Sequence, residues 1–369
     1  MIPQANLVGH PISDLDTPIL LVDLDILDRN IATMRRVIIE EAGIGWRPHT
    51  KAIKTPAIAH KLLRAGAHGI TCAKLSEAEV MAAAGIRDIL IANQVVGEAK
   101  LARLVRLCRH ADPIVALDCE SQVKALDVAA QTAGTSLRVV VEVNVAMNRA
   151  GVEPGDPVVA LARQVASCHG LRFAGLMAWE GGRIAAIREP EDKRKAIVDA
   201  VSRLTSSADR CRSVGLPVEI VSCGGTGTYW ITARLPGVTE VQAGGGIFCD
   251  IHYRTDYGVQ HEYALSILTS VASRPTPTRI ICDAGWKTMA QQPALPEPVN
   301  VGECTSVKLS AEHATIELPS PRSTPRVGDR VEFIAGYSDS TVFLHDYLYG
   351  VRGGRLEVIW PISGRGMTQ

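Results

Sequence analysis

Lys51 ends a short stretch, Gly45-Trp46-Arg47-Pro48-His49-Thr50-Lys51, that reads as a strand closing on a lysine. Pro48 keeps Arg47 extended, and no helical period runs through the segment. A helical stretch follows over Pro56–Ala65. Lys51 therefore falls where a strand hands over to a helix, which is where α/β folds keep their reactive groups. A buried amine there can lose its proton and form a Schiff base; the other reading is a surface lysine at a strand end. Further along, Gly224-Gly225-Thr226-Gly227-Thr228 follows an apolar run, and Gly244-Gly245-Gly246 ends the next one. Small residues let backbone N–H groups approach a phosphate, threonine hydroxyls donate to it, and a helix N-terminus favours its charge. Taken alone, each glycine run reads equally as a tight turn. No lysine follows the glycines in Walker spacing, so a nucleoside triphosphate in a P-loop is excluded.

The elements that must position these groups alternate. Short β-rich runs lie at Trp46–Lys51, Gly69–Lys74, Ile89–Gln94, Ile114–Cys119, Leu137–Val145, Phe173–Trp179, Val218–Gly224 and Thr239–Gly244. Between them the spacing predicts helices over Ser76–Ala84, Gly97–Arg109, Ser121–Thr132, Asp156–Ser167 and Glu191–Arg212, with a short one in Gly227–Leu235. Such alternation implies right-handed crossovers and parallel pairing. About eight units over roughly 200 residues favour a closed TIM-type (β/α)8 barrel over an open doubly wound sheet. The strand ends then bring one polar set to the same rim: His49, Lys51, Lys74, Asn93, Gln94, Asp118, Asn144, Glu180 and the two glycine runs.

After Tyr263 the texture changes. Short strands are expected at Ala264–Ser273, Arg279–Asp283, Thr305–Leu309, Ala314–Leu318, Arg330–Ile334, Thr341–Leu344 and Arg355–Ile359, punctuated by prolines. The reading is a barrel over 25–262 and a β domain made of 1–24 plus 263–369, the early strand Pro18–Asp23 pairing with the latter. A helix is expected over Leu24–Ile39.

With 369 residues and 46% hydrophobic content, the chain can build both cores. Lys+Arg and Asp+Glu both number 39, giving a net charge of +0, which offers no nucleic-acid or acidic-membrane partner. The nine cysteines are scattered without a C-x-x-C pair, so neither a zinc ribbon nor a disulfide framework is indicated, and Cys72, Cys119, Cys223 and Cys282 read as core residues. This suits a reducing cytoplasm. Met1–Pro18 has no basic head followed by an apolar run, so no signal peptide is expected, and no apolar run is long enough to span a bilayer.

A lysine on the first barrel strand with a phosphate cup on the seventh and eighth describes pyridoxal 5'-phosphate held by a Schiff base. The chain resembles the fold-type III, alanine-racemase-like pyridoxal-phosphate enzymes, and within them the D-threonine aldolase and eukaryotic-type D-serine dehydratase family. The motifs that carry the resemblance are Arg47-Pro48-His49-Thr50-Lys51, Lys74-Leu75-Ser76-Glu77-Ala78-Glu79, Ala92-Asn93-Gln94, Met147-Asn148-Arg149-Ala150-Gly151-Val152, Gly224–Tyr229, Thr239-Glu240-Val241-Gln242-Ala243-Gly244 and Leu344-His345-Asp346. The resemblance implies that Lys51 holds the cofactor, that Arg149 lies beside its ring, and that Gly225, Thr226 and Gly227 bind its phosphate; from their place at the next strand end, Gly245 and Gly246 could supply further amides. It implies a homodimer whose subunits complete each other's site.

There are three departures. The family carries a divalent metal on a histidine and, two positions on, a Cys or Asp, in a motif like G-H-C-D-x-T. Here the stretch is Gly336-Tyr337-Ser338-Asp339-Ser340-Thr341. Asp339 is kept, but Tyr337 stands at the histidine position, and a neutral phenol is a poor ligand. Ile53 stands where the lysine motif often continues with histidine, and Trp179 where a tyrosine is often seen. The reading expects Mg²⁺ or Mn²⁺ on Asp339 to be weakly held or absent. His345 or Asp346 could complete the site across a hairpin, or the Tyr337 phenol, bonded to Asp339, could serve as acid or base. The catalytic set is then Lys51, His49, Tyr337 and Asp339. The expected reaction is retro-aldol cleavage of a D-3-hydroxy amino acid to glycine and an aldehyde. Dehydration of a D-serine-type substrate is second, racemisation third, and a non-catalytic pyridoxal-phosphate protein is the remaining class.

Overall fold

The computed structural model describes residues 4–369; the first three residues of the expected 1–24 segment lie outside the described residues. Two 3-10 turns, Ala5–Leu7 and Ile12–Asp14, lead into β1 (Ile19–Asp23) and α1 (Leu24–Arg35), and the helix runs on as a π turn, Arg36–Glu41. The alternating region follows: β2 (Gly45–Trp46), α2 (Pro56–Arg64), β3 (Ile70–Cys72), α3 (Leu75–Ala83), β4 (Asp88–Gln94), α4 (Glu98–Leu107), β5 (Asp112–Leu117), α5 (Glu120–Thr132), β6 (Leu137–Glu142), α6 (Asp156–Ala166), β7 (Leu171–Met177), α7 (Gly182–Ala185), α8 (Pro190–Ser213), β8 (Ile220–Cys223), α9 (Tyr229–Thr232), β9 (Glu240–Val241) and α10 (Ile251–Thr255). The rest is mostly strand: β10 (Leu265–Thr276), β11 (Arg279–Cys282), β12 (Glu297–Val299), β13 (Ser306–Leu309), β14 (Ala314–Glu317), β15 (Arg330–Ile334), α11 (Ser338–Thr341), β16 (Tyr347–Arg352) and β17 (Arg355–Pro361).

The chain divides into two compact units. One comprises the described residues up to Ile31, with Ala52–Thr55 and Gly245–Arg365; the other comprises Ala32–Lys51, Pro56–Gly244 and Gly366–Gln369. In the second unit the described strands form an eight-stranded sheet in the order β2-β9-β8-β7-β6-β5-β4-β3. Every ladder between neighbours is parallel, and a parallel bridge between His49 and Thr71 joins the two end strands. This is the (β/α)8 barrel of the sequence reading. Alternating positions on successive strands build one apolar layer: Leu90, Ile114, Ala116, Val140, Ala174, Met177 and Ile220. The helices cover the sheet with one face each. In α6, for example, Asp156 and Pro157 start the helix while Val158, Leu161, Ala162 and Val165 turn inward at helical spacing.

At the N-terminal ends of the strands lies a buried ion network. Arg47 Nε donates to both carboxylate oxygens of Glu240, at 2.9 and 3.1 Å, and its Nη1 is 3.0 Å from Asp88. Arg138 reaches the same Asp88 at 2.5 Å, and His68 lies 2.9 Å from Glu240. Burial alone would raise the Glu240 carboxyl, but the His68 hydrogen bond and the Arg47 charge overcome it and hold it at about 2.

The other unit is built on a mixed sheet in the order β13-β14-β11-β10-β1-β16-β17, with β15 pairing both β10 and β12. The early strand does pair here: β1 runs antiparallel to β10 and parallel to β16. Leu15, Ile19, Leu21, Leu268, Tyr349, Val351 and Leu356 form its core.

Four sequence expectations need correction. The Trp46–Lys51 strand stops as a regular strand at Trp46, because Pro48 has no N–H to give to a ladder. The Thr341–Leu344 strand is instead the end of α11 and a 3-10 turn, Val342–Leu344; a four-residue apolar run fits either period. β12 and β16 were not expected. β16 was hidden by Gly350, where a side chain would meet Val358 Cγ1 at 2.8 Å. Cys119 is half-buried rather than core, since it precedes α5 at the sheet's rim. No described helix is long and apolar enough to cross a membrane, and no disulfide joins the cysteines among the described residues.

Candidate active site

Lys51 lies in a 3-10 turn, Thr50–Ala52, just past the end of β2. The turn is anchored from inside. Thr50 is fully buried, and its hydroxyl donates to Glu77 Oε1 at 2.5 Å and sits 3.0 Å from the Thr71 carbonyl. His49 N–H donates to the Gln242 carbonyl at 2.9 Å. The Lys51 backbone N–H donates to His49 Nδ1 at 3.3 Å, so a neutral His49 carries its proton on Nε2 and is a donor there. The Lys51 amine stands 5.8 Å from the centroid of the Trp179 ring, and the Arg149 guanidinium 5.7 Å from it. Gly225 is at the same indole: a Cβ on it would meet Trp179 Nε1 at 2.9 Å. One aromatic side chain thus gathers the lysine, the arginine and the glycine loop.

The loop after β8 is braced from behind by Glu180, which is 1% exposed. Its carboxylate accepts from Gly224 N–H at 3.2 Å, from the Thr228 hydroxyl at 3.2 Å and from the Thr232 hydroxyl at 2.5 Å. Gly224 takes a φ of 78°, which only glycine adopts without cost, and Gly225 N–H donates to Thr228 Oγ1 at 3.1 Å. Thr226 and Gly227 form the buried turn between them. Gly244 is small for a different reason, because a side chain there would run into the His49 carbonyl.

Arg149 is presented by a tight loop. Asn144 Oδ1 accepts from Asn148 N–H at 2.9 Å, and Asp118 accepts from Gly151 N–H at 3.0 Å. Behind it, Glu142 accepts from Gln94 Nε2 at 2.5 Å and faces Arg149 at 3.8 Å; burial pushes this carboxyl up. Asn93 turns away, donating to the Ala73 carbonyl at 3.0 Å, and Lys74 stands at the N-cap of α3.

The remaining expected residues belong to the β-rich unit. Gly245 and Gly246 lie in a buried 3-10 turn, where a Cβ on Gly245 would meet the Tyr253 hydroxyl at 2.6 Å and Gly246 O receives His261 Nδ1 at 2.7 Å. Tyr253 donates to Asp339 Oδ1 at 3.0 Å, and the Tyr337 ring stands edge-on to Tyr253 at 5.6 Å and to His252 at 5.1 Å. Burial, then the charge of Asp339 and a hydrogen bond to it, push the Tyr337 phenol far up. It keeps its proton at neutral pH, so a base role for Tyr337 falls away and only a donor role is left. Asp250 caps two helices at once: it accepts from Tyr253 N–H at 2.8 Å, and from Ser338 N–H at 2.7 Å and its hydroxyl at 2.6 Å. Burial raises this carboxyl to about 7. His345 does not turn toward Asp339; its Nε2 is 2.8 Å from the Thr288 carbonyl, and Asp346 pairs with Arg365 at 2.7 Å.

The alanine racemase N-terminal domain model matches residues 22–251, and the serine dehydratase domain model matches 264–351. A D-threonine aldolase of Arthrobacter sp is 35% identical over 371 residues, covering 100% of this chain and 97% of that protein. The chain belongs to the alanine-racemase-like family of D-threonine aldolases and D-serine dehydratases. Within this family, a 3-hydroxy-D-aspartate aldolase of Paracoccus denitrificans (strain Pd 1222) is 34% identical over 372 residues, covering 98% of this chain and 95% of that one. The crystal structure of D-threonine aldolase from Filomicrobium marinum superposes with a TM-score of 0.92 at 35% identity, over 98% of both chains. Sequence reasoning had noted Trp179 only as a departure and Glu180 only as a rim residue. It missed Asp250, whose signal was an Asp directly before a short helix, and Tyr253, which carried none.

Proposed function

We propose that the protein is a pyridoxal-phosphate-dependent lyase that cleaves a D-3-hydroxy amino acid, of the D-threonine or 3-hydroxy-D-aspartate class, to glycine and an aldehyde. The observation that carries this reading is the convergence of Lys51, Arg149 and Gly225 on Trp179, in a chain with a D-threonine aldolase and a 3-hydroxy-D-aspartate aldolase among its relatives. The donor set fits the cofactor: an amine for its aldehyde, a cation for its ring oxygen, and a small-residue loop at a strand end for its phosphate. Lys51 would hold it, Arg149 would face its ring, and Gly225, Thr226 and Gly227 would take the phosphate. We keep Gly245 and Gly246 as candidate phosphate donors.

Bound pyridoxal phosphate supplies an electron sink that weakens the bonds at the substrate's Cα. The chain's own task is to choose which bond breaks. Trp179 fixes the two cations relative to one another, and Glu180 fixes the loop, so the substrate is held in one orientation. We assign to Lys51 Nζ both ends of the proton transfer: as a free amine it takes the β-hydroxyl proton as Cα–Cβ breaks, and it returns a proton to Cα. His49, as a donor at Nε2, serves as a hydrogen bond to the substrate rather than as a base. The barrel over 25–262 acts as the cofactor-binding domain in this proposal, with a homodimer and a cytoplasmic location expected.

Dehydration to a keto acid and ammonia is the second reading, favoured by the serine dehydratase match over 264–351. Incubating holoprotein with D-threonine, 3-hydroxy-D-aspartate and D-serine and identifying the products separates the two. Glycine with an aldehyde supports cleavage; ammonia with a keto acid overturns it. Borohydride reduction and peptide mapping should mark Lys51, and a mark on Lys54 or Lys74 would overturn that assignment.

A further inference from the structure

The family resemblance implies a divalent ion near the end of the chain. The side chains at its positions do not fit one. Tyr337 offers a phenol, which ligates a hard divalent ion only after giving up a proton of ordinary pKa ~10. Asp339 Oδ1 already accepts from the Tyr253 hydroxyl. Asp250, the carboxylate that shares Tyr253 with Asp339, is fully buried and saturated by two backbone N–H groups and the Ser338 hydroxyl. His252 is held by Asp256 at 2.6 Å, and His345 and Asp346 are engaged by Thr288 and Arg365. Among the described residues, no three His, Cys, Asp or Glu side chains come together in a way that could hold a metal. A single carboxylate completed by waters binds such ions only weakly.

We propose that this chain has exchanged the divalent ion for a hydrogen-bonded side-chain cluster, Tyr253–Asp339–Tyr337 held by Asp250, and that Tyr337 is the residue that decides the exchange. The cluster is complete in itself. Asp339 receives its hydrogen bonds from phenols, Asp250 pins the starts of both short helices beside them, and the Tyr337 ring stands edge-on to those of His252 and Tyr253. An imidazole at position 337 would restore, two residues from Asp339, the histidine–carboxylate pair that the resemblance implies; the phenol denies it.

The test reads metal binding directly, so it does not depend on the proposed reaction. Holoprotein freed of metal by chelator and dialysis is titrated with Mn²⁺, and the free ion is followed by paramagnetic resonance. The parent should retain less than about 0.1 equivalent at ~100 µM Mn²⁺, and Tyr337→His about one equivalent, as ligand count dictates. Parent protein that purifies with, or takes up, about one equivalent overturns the proposal. A folded, cofactor-loaded Tyr337→His that gains no ion overturns the deciding role of Tyr337, with Tyr253→Phe/Tyr337→His read beside it so that the Tyr253 bond to Asp339 cannot mask the gain. On the turnover side, which rests on the proposed lyase reaction, the parent's activity should be unchanged by chelator and that of Tyr337→His altered by it. Absence of turnover on every substrate counts against the lyase reading and leaves the metal titration standing.

Discussion

Replacing Arg47 with methionine tests whether this motif arginine holds the barrel rather than the chemistry. The side chain is 3% exposed, and it faces Glu240, 4% exposed, through two contacts of 2.9 and 3.1 Å. Glu240 is held at about 2, against an ordinary 4.5. That difference corresponds to about 3 kcal/mol of stability at neutral pH. Removing one partner of a buried pair costs about 3–5 kcal/mol, because the other charge is left without compensation. Arg47→Met should therefore lose about 3–4 kcal/mol in urea unfolding at pH 7. The sign with pH follows from the lowered carboxyl. Its contribution is complete above its ordinary range and is lost as pH falls from there toward about 2. The gap between parent and variant should then narrow between pH 5 and 3. Arg47→Met/Glu240→Met should recover much of the loss, since the most buried charge leaves with its partner and Asp88 keeps Arg138. The folded single variant should still bind cofactor, because Arg47 acts at the N-terminal ends of the strands. A loss under ~1 kcal/mol, a gap that does not shrink in acid, or a stable variant without cofactor would refute this reasoning.

Gly225→Val should lower cofactor retention well before it lowers stability, because a side chain there meets the Trp179 indole at 2.9 Å; equal cofactor content in variant and parent would count against the phosphate loop. Glu180→Ala removes the acceptor of three hydrogen bonds around Gly224–Thr232, and should weaken cofactor binding about tenfold or more while speeding amide exchange in that loop. Unchanged exchange would show that Glu180 does not brace it.

Much of the barrel was legible because each of its layers repeats one signal. β-branched runs such as Leu137–Glu142 are too short for helices, and the segments between them carry helical spacing. The β-rich unit was less legible. Its strands are short, and β16 contains a glycine chosen for a close approach to β17 rather than for strand propensity. Within the site, Lys51, Arg149 and the glycine loop could be read because their types are tied to chemistry. Trp179, Glu180 and Asp250 act through who their neighbours are, and adjacency across strands or loops is not written in local spacing. Asp250, for example, joins two helices whose first residues are 87 positions apart (Ile251 and Ser338).

The seam between β2 and β3 has a consequence for how the barrel moves. Most neighbouring strands share a ladder, but here closure rests on the bridge between His49 and Thr71, with Thr71 N–H donating to Pro48 O at 2.9 Å. A second backbone bond, from His68 N–H to the Trp46 carbonyl at 3.1 Å, and two side-chain hydroxyls add to it: Thr71 Oγ1 reaches the Arg47 carbonyl at 2.9 Å, and Thr50 Oγ1 lies 3.0 Å from the Thr71 carbonyl. The staves of the barrel are thus riveted, not woven, next to Lys51. The stiffness of the turn that carries Lys51 depends in part on two side-chain oxygen atoms, so a threonine-to-valine change at either position would retune its breathing while leaving every strand of the sheet in place.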